Sequence, residues 1–439
     1  MIQVRISWML LGIALAVDAS GENWPQWRGE GNRGSSPTAD PPVHWGVDQN
    51  IRWRVEVPGK GSSTPIIWRD SVYVLTAIAT ERRPPAGDAL EDTSVATNPF
   101  GTGPKPDRFY QFAVLSYDRR SGKERWRRVA TEEVPHEAGH LTNTFASSSP
   151  VTDGRYLFVS FGSRGIYCLD LEGNPVWQQN LGRMETRRDF GEAASPALHK
   201  NRLVVPWDHE GQSFLAALDA ATGEVIWKTE RDEPTTWATP LIVEHAGKTQ
   251  VITNGITVRS YDLETGKLIW SCGGQAFNPI PCPISRDGTV FCMTGYRGNA
   301  VYAISLDAVG DVTDSEHVVW SRNDTGPYVS SAALDGGRIY LTKSRTSILS
   351  VLDAATGRAI IDQHRLSGMN TLYASPVVAA GRVYFSSRDG TTVVLAAKDE
   401  VEVLATNELQ ETIDASPAVV DRQMFIRGEK HLFCIEEQD

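Results

Sequence analysis

Apolar positions along this chain come in short runs rich in β-branched and aromatic residues that alternate with small or polar ones, the period of half-buried strands. Gly337-Arg338-Ile339-Tyr340-Leu341 and Gly381-Arg382-Val383-Tyr384-Phe385 each show a run entered from a turn, and Phe214-Leu215-Ala216-Ala217-Leu218-Asp219 shows one that ends on an Asp. The runs are themselves periodic. Units open with Ser/Thr-x-Pro or Ser-Pro at Ser63-Thr64-Pro65, Ser149-Pro150, Ser195-Pro196, Thr239-Pro240, Cys282-Pro283, a degenerate Ser331-Ala332, Ser375-Pro376 and Ser416-Pro417, and from Pro150 onward they step by 41 to 49 residues.

Each unit closes on Asp-x-x-Thr-Gly-x-x-x-Trp, most plainly at Asp219-Ala220-Ala221-Thr222-Gly223-Glu224-Val225-Ile226-Trp227 and Asp262-Leu263-Glu264-Thr265-Gly266-Lys267-Leu268-Ile269-Trp270. Thr-Gly supplies a tight turn in which Gly takes a positive φ without steric cost, and the Asp carboxylate bonds amides across it. The Trp falls on a fourth strand, where a large flat ring packs on the next unit and finds a partner there for its N–H. Trp126, Trp177, Trp227, Trp270 and Trp320 hold that position, and Ile361 replaces it once. Four strands per unit and a period in the forties predict an all-β fold, an eight-bladed β-propeller. The eighth unit, Ser416 to Glu436, has room for only three strands, and Asn50-Ile51-Arg52-Trp53-Arg54-Val55-Glu56-Val57 is a lone strand carrying the missing Trp. Pairing the two closes the ring and removes its open edge.

A 41% hydrophobic and 22% charged composition is globular, and the 38 Gly and 13 Trp against six Met fit turns and aromatic packing better than long helices. The net charge of −11 gives no whole-chain footprint for nucleic acid. Arg5 followed by the apolar run Ile6 to Val17 and by Ala16, Ala19 and Ser20 reads as a secretory signal peptide over residues 1–19, cleaved after Ala16 or Ala19. An uncleaved anchor is the alternative, but the run would span only about 18 Å of a roughly 30 Å hydrocarbon core. No Cys stands there to take a lipid. The mature chain is then expected to be exported, periplasmic or extracellular, without a transmembrane helix, and to divide into an N-terminal segment (20–49) and the propeller (50–439). Five scattered cysteines, Cys168, Cys272, Cys282, Cys292 and Cys434, do not make a disulfide framework; Cys282 and Cys292 are either cross-strand neighbours or small buried hydrophobes.

The repeats over residues 50 to 436 resemble the quinoprotein-type, pyrroloquinoline-quinone (PQQ)-like β-propeller family, which takes in quinoprotein alcohol dehydrogenases and the outer-membrane assembly factor BamB. Trp24-Pro25-Gln26-Trp27-Arg28-Gly29 is similar to the N-terminal segment of exported bacterial members. The resemblance implies the fold and says little about activity, because the family spans enzymes and scaffolds.

Two insertions break the rhythm. Thr80 to Arg108, charged and interspersed with Pro84, Pro85, Pro99, Pro104 and Pro106, is expected as a loop in blade 1: a lid, a partner-binding arm or a disordered excursion. Ala130 to Thr144 joins blades 1 and 2 and contains His136-Glu137-Ala138-Gly139-His140, a literal HExxH. In a zinc protease that spacing works on a helix, which sets both His one turn apart on one face. Pro135, Gly139 and the lack of an amphipathic helix around it predict a loop here, and no metal site.

Segments just before each first strand project towards the axis of a propeller, so the candidate ligand-binding residues are Lys60, His140, Asn143, Glu192, Trp237, Asn278, Tyr328, Asn370 and Asp414, with Tyr373 beside them. Convergent polar groups beside an aromatic face suit a planar anion or a peptide, or they solvate a water-filled funnel. The family resemblance implies that an enzyme would show a vicinal Cys pair, a floor Trp, and Glu, Asn and Asp ligands for calcium. No two Cys are adjacent, and Trp237, Glu192 and Asn278 match only fragments. The expectation is a non-catalytic binding or scaffolding propeller of the cell envelope, with a protein or small molecule at the channel mouth or the insert loop and no cofactor. The alternative is a PQQ- and calcium-dependent alcohol or sugar dehydrogenase.

Overall fold

Proline at seven of the eight openings has no N–H to give to a ladder, so the opening can only start a short strand beside the axis. The computed structural model describes residues 22–85, 101–343 and 345–438; the expected signal peptide (1–19) and the middle of the Thr80–Arg108 insert lie outside the described residues. First strands such as Ile66–Trp68, Ala197–His199 and Ala418–Val420 are brief and followed by longer second and third strands, for example Arg202–Trp207 and Ser213–Asp219. Eight antiparallel sheets of four strands result, one per unit. Two sheets carry an added parallel strand: Gly310–Asp311 beside Leu268–Cys272, and Ser35–Ser36 beside Val377–Ala379.

Sandwiched between neighbouring blades, the middle strands are buried on both faces, as in the run Val72, Tyr73, Val74 and Leu75. The outer strands alternate, and Val225, Ile226 and Leu268 remain exposed.

The last blade closes as the sequence predicts. Ile51–Glu56 pairs antiparallel with His431–Glu436, with Trp53 opposite Cys434. Nε1 of Trp126, Trp177, Trp227 and Trp320 donates to a carbonyl of the following blade, at Leu171, Ala220, Leu263 and Ala354, over 2.8–3.0 Å. Trp270 departs from the expectation: its Nε1 donates to Gln250 Oε1 of its own blade at 3.1 Å. The reason lies in blade 5, whose third strand ends at Ser305 and continues into a longer excursion in place of a Thr-Gly turn; that excursion lays Gly310–Asp311 alongside Trp270 and buries it.

Around the axis the openings form a chain of hydrogen bonds. The backbone N–H of Thr64 donates to Ser149 Oγ, Ser149 to Ser195, Ser195 to Thr239, Thr239 to Cys282, Cys282 to Ser331, Ser331 to Ser375 and Ser375 to Ser416, over 2.8–3.2 Å. The opening Ser or Thr therefore links blade to blade. The five cysteines are buried and free, and Cys292 pairs across its sheet with Tyr302 instead of Cys282.

The N-terminal segment crosses the face opposite the candidate loops. Trp24 exchanges backbone hydrogen bonds with Ile67 of blade 1, Pro25 O accepts from Thr152 of blade 2, Arg33 donates to Ser285 O of blade 5, and Arg28 donates to Ala332 O and Pro376 O of blades 6 and 7. Trp24 and Arg28 are fully buried. No helix among the described residues is long and apolar enough to cross a membrane.

Candidate functional site

Glycines and short polar residues in the loops let three segments lie edge to edge on the upper face. Gly103 N–H donates to Gly139 O and Leu141 N–H to Gly101 O, while Gly139 and His140 donate to Asp189 O and Phe190 O. The end of the first insertion is thereby stitched to the HExxH loop and to the 184–191 connection. The HExxH loop and the 184–191 connection help wall a cavity of about 480 Å³ above blades 1 to 3, to one side of the axis, faced by Tyr110, Phe145, Phe161, Trp207 and Trp237. That volume lies in the range of small-molecule sites.

Three carboxyl groups lie among the aromatic walls, and each is held by the protein's own donors. Glu137 accepts from Thr186 N at 2.5 Å and Thr186 Oγ1 at 2.6 Å. Burial pushes its carboxyl up to about 7, helped by the negative charges of Glu192 and Asp189. Glu192 accepts from Ser163 N and Oγ at 2.7 and 2.5 Å and pairs with Arg164 at 3.1 Å. Asp208 is bonded by Thr236 Oγ1 at 2.7 Å and faces Arg231 at 3.3 Å; burial pushes its carboxyl above the usual range. The HExxH segment is a loop, as its Pro and Gly predict. His136, Glu137 and Glu192 bring ligand atoms within 4.8 Å of one another. His136 Nε2, however, is 2.8 Å from the Met184 carbonyl and so carries its proton there, while the Arg164 guanidinium already neutralises Glu192. His140 turns from this group, with Nδ1 against Thr142 Oγ1 and its ring edge-on to Phe190.

The candidate residues divide among several places. Lys60, Asn143, Glu192 and Trp237 line the off-axis cavity. Asn143 and Trp237 also border the axial channel, with Tyr373 and Asp414; this space holds about 150 Å³ and is floored by Trp27 and Cys282. Asp414 is clamped by Arg388, which lies over Tyr373 at 4.6 Å. Asn278 stands in a separate groove with Arg187, Phe277 and Tyr296, and Tyr328 stacks on Tyr296 at 4.8 Å. Asn370 donates to Asp389 at 2.6 Å. Lys60 makes an exposed pair with Glu429 at 3.4 Å, which contributes little.

Sequence reasoning missed Arg164, Phe145, Phe161 and Trp207. One signal was present: Pro206-Trp207-Asp208 interrupts the apolar strand begun by Leu203-Val204-Val205, placing a bulky ring and a charge at the strand's upper end.

Glu192, Trp237 and Asn278 do not form a cradle for a quinone and its calcium. Trp237 Nε1 is committed to Gly191 O at 2.7 Å, Glu192 is saturated by Ser163 and Arg164, and Asn278 belongs to another groove.

A family model described as outer membrane protein assembly factor BamB matches residues 111–363 and 215–439. BamB of Burkholderia pseudomallei is 24% identical over 311 residues, 67% of this chain and 73% of that protein; BamB of Yersinia pestis is 24% identical over 293 residues, 63% and 67%. Among solved structures, BamB from Moraxella catarrhalis superposes with a TM-score of 0.52 at 13% identity, over 83% of this chain and 98% of that one. The quinohemoprotein alcohol dehydrogenase from Comamonas testosteroni gives 0.64 at 11% identity, over 95% and 81%. A europium-containing methanol dehydrogenase gives 0.63 at 10% identity, over 94% and 91%. At such identities the structural likenesses speak for the propeller alone. The two matches of the family model together run from residue 111 to the end of the chain, and on that extent this PQQ-like-repeat propeller belongs to the BamB family.

Proposed function

We propose that this protein is an exported, non-catalytic binding propeller of the bacterial cell envelope, which holds a protein or small-molecule ligand on its upper face. The observation that carries this reading is the off-axis cavity, large enough for a ligand and walled by aromatic rings, whose buried carboxyl groups are each held by the fold's own donors. Two BamB relatives whose names describe outer membrane protein assembly support the envelope setting and the scaffolding role.

The test sets binding against quinone-dependent oxidation. A cofactor that binds only the folded state at one hundred times its dissociation constant stabilises it by about 2.7 kcal/mol, a rise of a few degrees at most in a chain of this size. Titration with PQQ and calcium is expected to leave the melting temperature unchanged and to support no dye-linked alcohol or sugar oxidation. A saturable rise lost in Trp237→Ala, together with turnover, would replace this reading with the dehydrogenase. A rise without turnover would leave a binding protein with PQQ as its ligand.

A further inference from the structure

Of the eight ring positions, seven carry a hydroxyl and one carries Cys282. Ser or Thr makes the same blade-to-blade bond elsewhere, so closing the ring does not require sulfur. The surroundings of this sulfur differ from those of the other four. It accepts the Thr239 backbone N–H at 3.2 Å and Trp27 Nε1–H at 3.1 Å. Cys168 and Cys272 instead point their thiols at carbonyls, 4.0 and 3.6 Å away. Burial pushes their thiols up to about 12 and about 11, and raises those of Cys292 and Cys434 as well.

A second, independent feature points at the same sulfur. Arg28 follows Trp27 and is 1% exposed, with Nε and Nη1 lacking any hydrogen-bond partner and Nη2 satisfied only by carbonyls. No carboxylate among the described residues pairs with it. Burial pushes its guanidinium down to about 9, and the charge that offsets this is that of the Cys282 sulfur. Amide and indole donors together with an unneutralised guanidinium make an electropositive setting, the kind in which cysteines react. Cys282 also lines the floor of the axial channel, which is bordered above by Thr142, Asn143, Trp237, Tyr373 and Asp414. About 150 Å³ accommodates roughly five waters, so the channel admits a water-sized reactant and excludes a tripeptide thiol or disulfide.

We propose that Cys282 is a modification site at the base of the axial channel, whose sulfur hydrogen peroxide oxidises to sulfenic acid. The sulfur attacks one peroxide oxygen, and the S–O bond forms as the O–O bond breaks. Sulfur loses two electrons, the peroxide is reduced, and the departing hydroxide takes the thiol proton, so that Cys–SOH and one water result.

The experiment is a peroxide pulse on the folded, full-length mature protein, followed by unfolding in dimedone and mapping of the adduct by peptide mass spectrometry. Cys282 is expected to carry at least about tenfold more adduct than any other cysteine, and Cys282→Ser, the ring's usual residue, to lose the adduct while melting with the parent. Arg28→Met should slow the reaction about tenfold; if that variant does not fold, the distribution of adduct among the parent's five cysteines decides alone. Even labelling of the five cysteines, or an adduct found mainly on another of them, would overturn the proposal.

Discussion

The indole of Trp53 lies on Gly122 of the first blade's turn, where a Cβ would stand 2.7 Å from the ring, and its Nε1 donates to the Arg119 carbonyl at 2.9 Å. Gly173 under Trp126, Gly223 under Trp177, Gly266 under Trp227 and Gly357 under Trp320 repeat the arrangement. Thr-Gly in the motif therefore serves two ends: the glycine turns the chain at positive φ, and its bare Cα makes the seat for the preceding blade's Trp. The N-terminal strand joins the ring by the contact that joins its neighbours.

Closure should then be costly to break. Trp53→Ala is expected to lose about 3–5 kcal/mol in urea unfolding, the scale for truncating a buried Trp, and removal of residues up to Pro58 to give aggregation. Gly122→Ala, strained at φ 72° and pressed into the ring, should cost about 1–3 kcal/mol with the chain intact. A truncated protein that melts like the parent would mean that the ring holds without this strand.

Glu137 should leave a signature in the pH dependence of stability. Its carboxyl is raised from the ordinary 4.5 to about 7 by burial, so the native state holds that proton more tightly than the unfolded chain. The resulting stability is fully present below about 4.5 and is lost as pH rises through about 7. The urea midpoint should fall between about pH 5 and about pH 8 by more in the parent than in Glu137→Gln. Asp208 and Glu233, also raised by burial, titrate in both proteins, and the difference isolates Glu137. Parallel profiles would show that Glu137 is ionised throughout.

Protein purified without added metal should contain well under one equivalent of zinc by elemental analysis. His136 is bound to the Met184 carbonyl and Glu192 to Arg164, so a cation would have to displace a guanidinium and turn an imidazole. Stoichiometric zinc that disappears in His136→Ala would reverse this.

The propeller, its closure and the docking role of Trp were legible because they repeat: one Asp-x-x-Thr-Gly-x-x-x-Trp explains little, but its copies set the blade length and the phase of each strand. Trp270 escaped because its role depends on what blade 5 offers it, and blade 5 carries Ser305-Leu306-Asp307-Ala308 where blades 1, 2, 3, 4 and 6 carry the glycine turn. The cavity was half legible. Lys60, Asn143, Glu192 and Trp237 were found from their phase in the repeat, whereas Arg164, Phe161 and Trp207 come from the far ends of second strands and their connections, which the repeat leaves free to vary. The HExxH string drew attention to the right loop for the wrong chemistry, since Glu137 is a buried carboxyl bonded to Thr186.

Arg52 and Glu436, paired across the last blade, are 384 residues apart in the chain. A polypeptide made from its N-terminus presents the Ile51–Glu56 strand before blade 1 and the strand that receives it only after seven blades have followed. Blades 1 to 7 can assemble in order behind it, but the eighth sheet cannot be completed until His431–Glu436 is present to pair with Ile51–Glu56. Docking of Arg28 and Arg33 beneath blades 5 to 7 is delayed in the same way. Closure of the ring thus waits on His431–Glu436, and throughout that interval the nascent chain carries an unpaired strand open to pairing with another copy of itself.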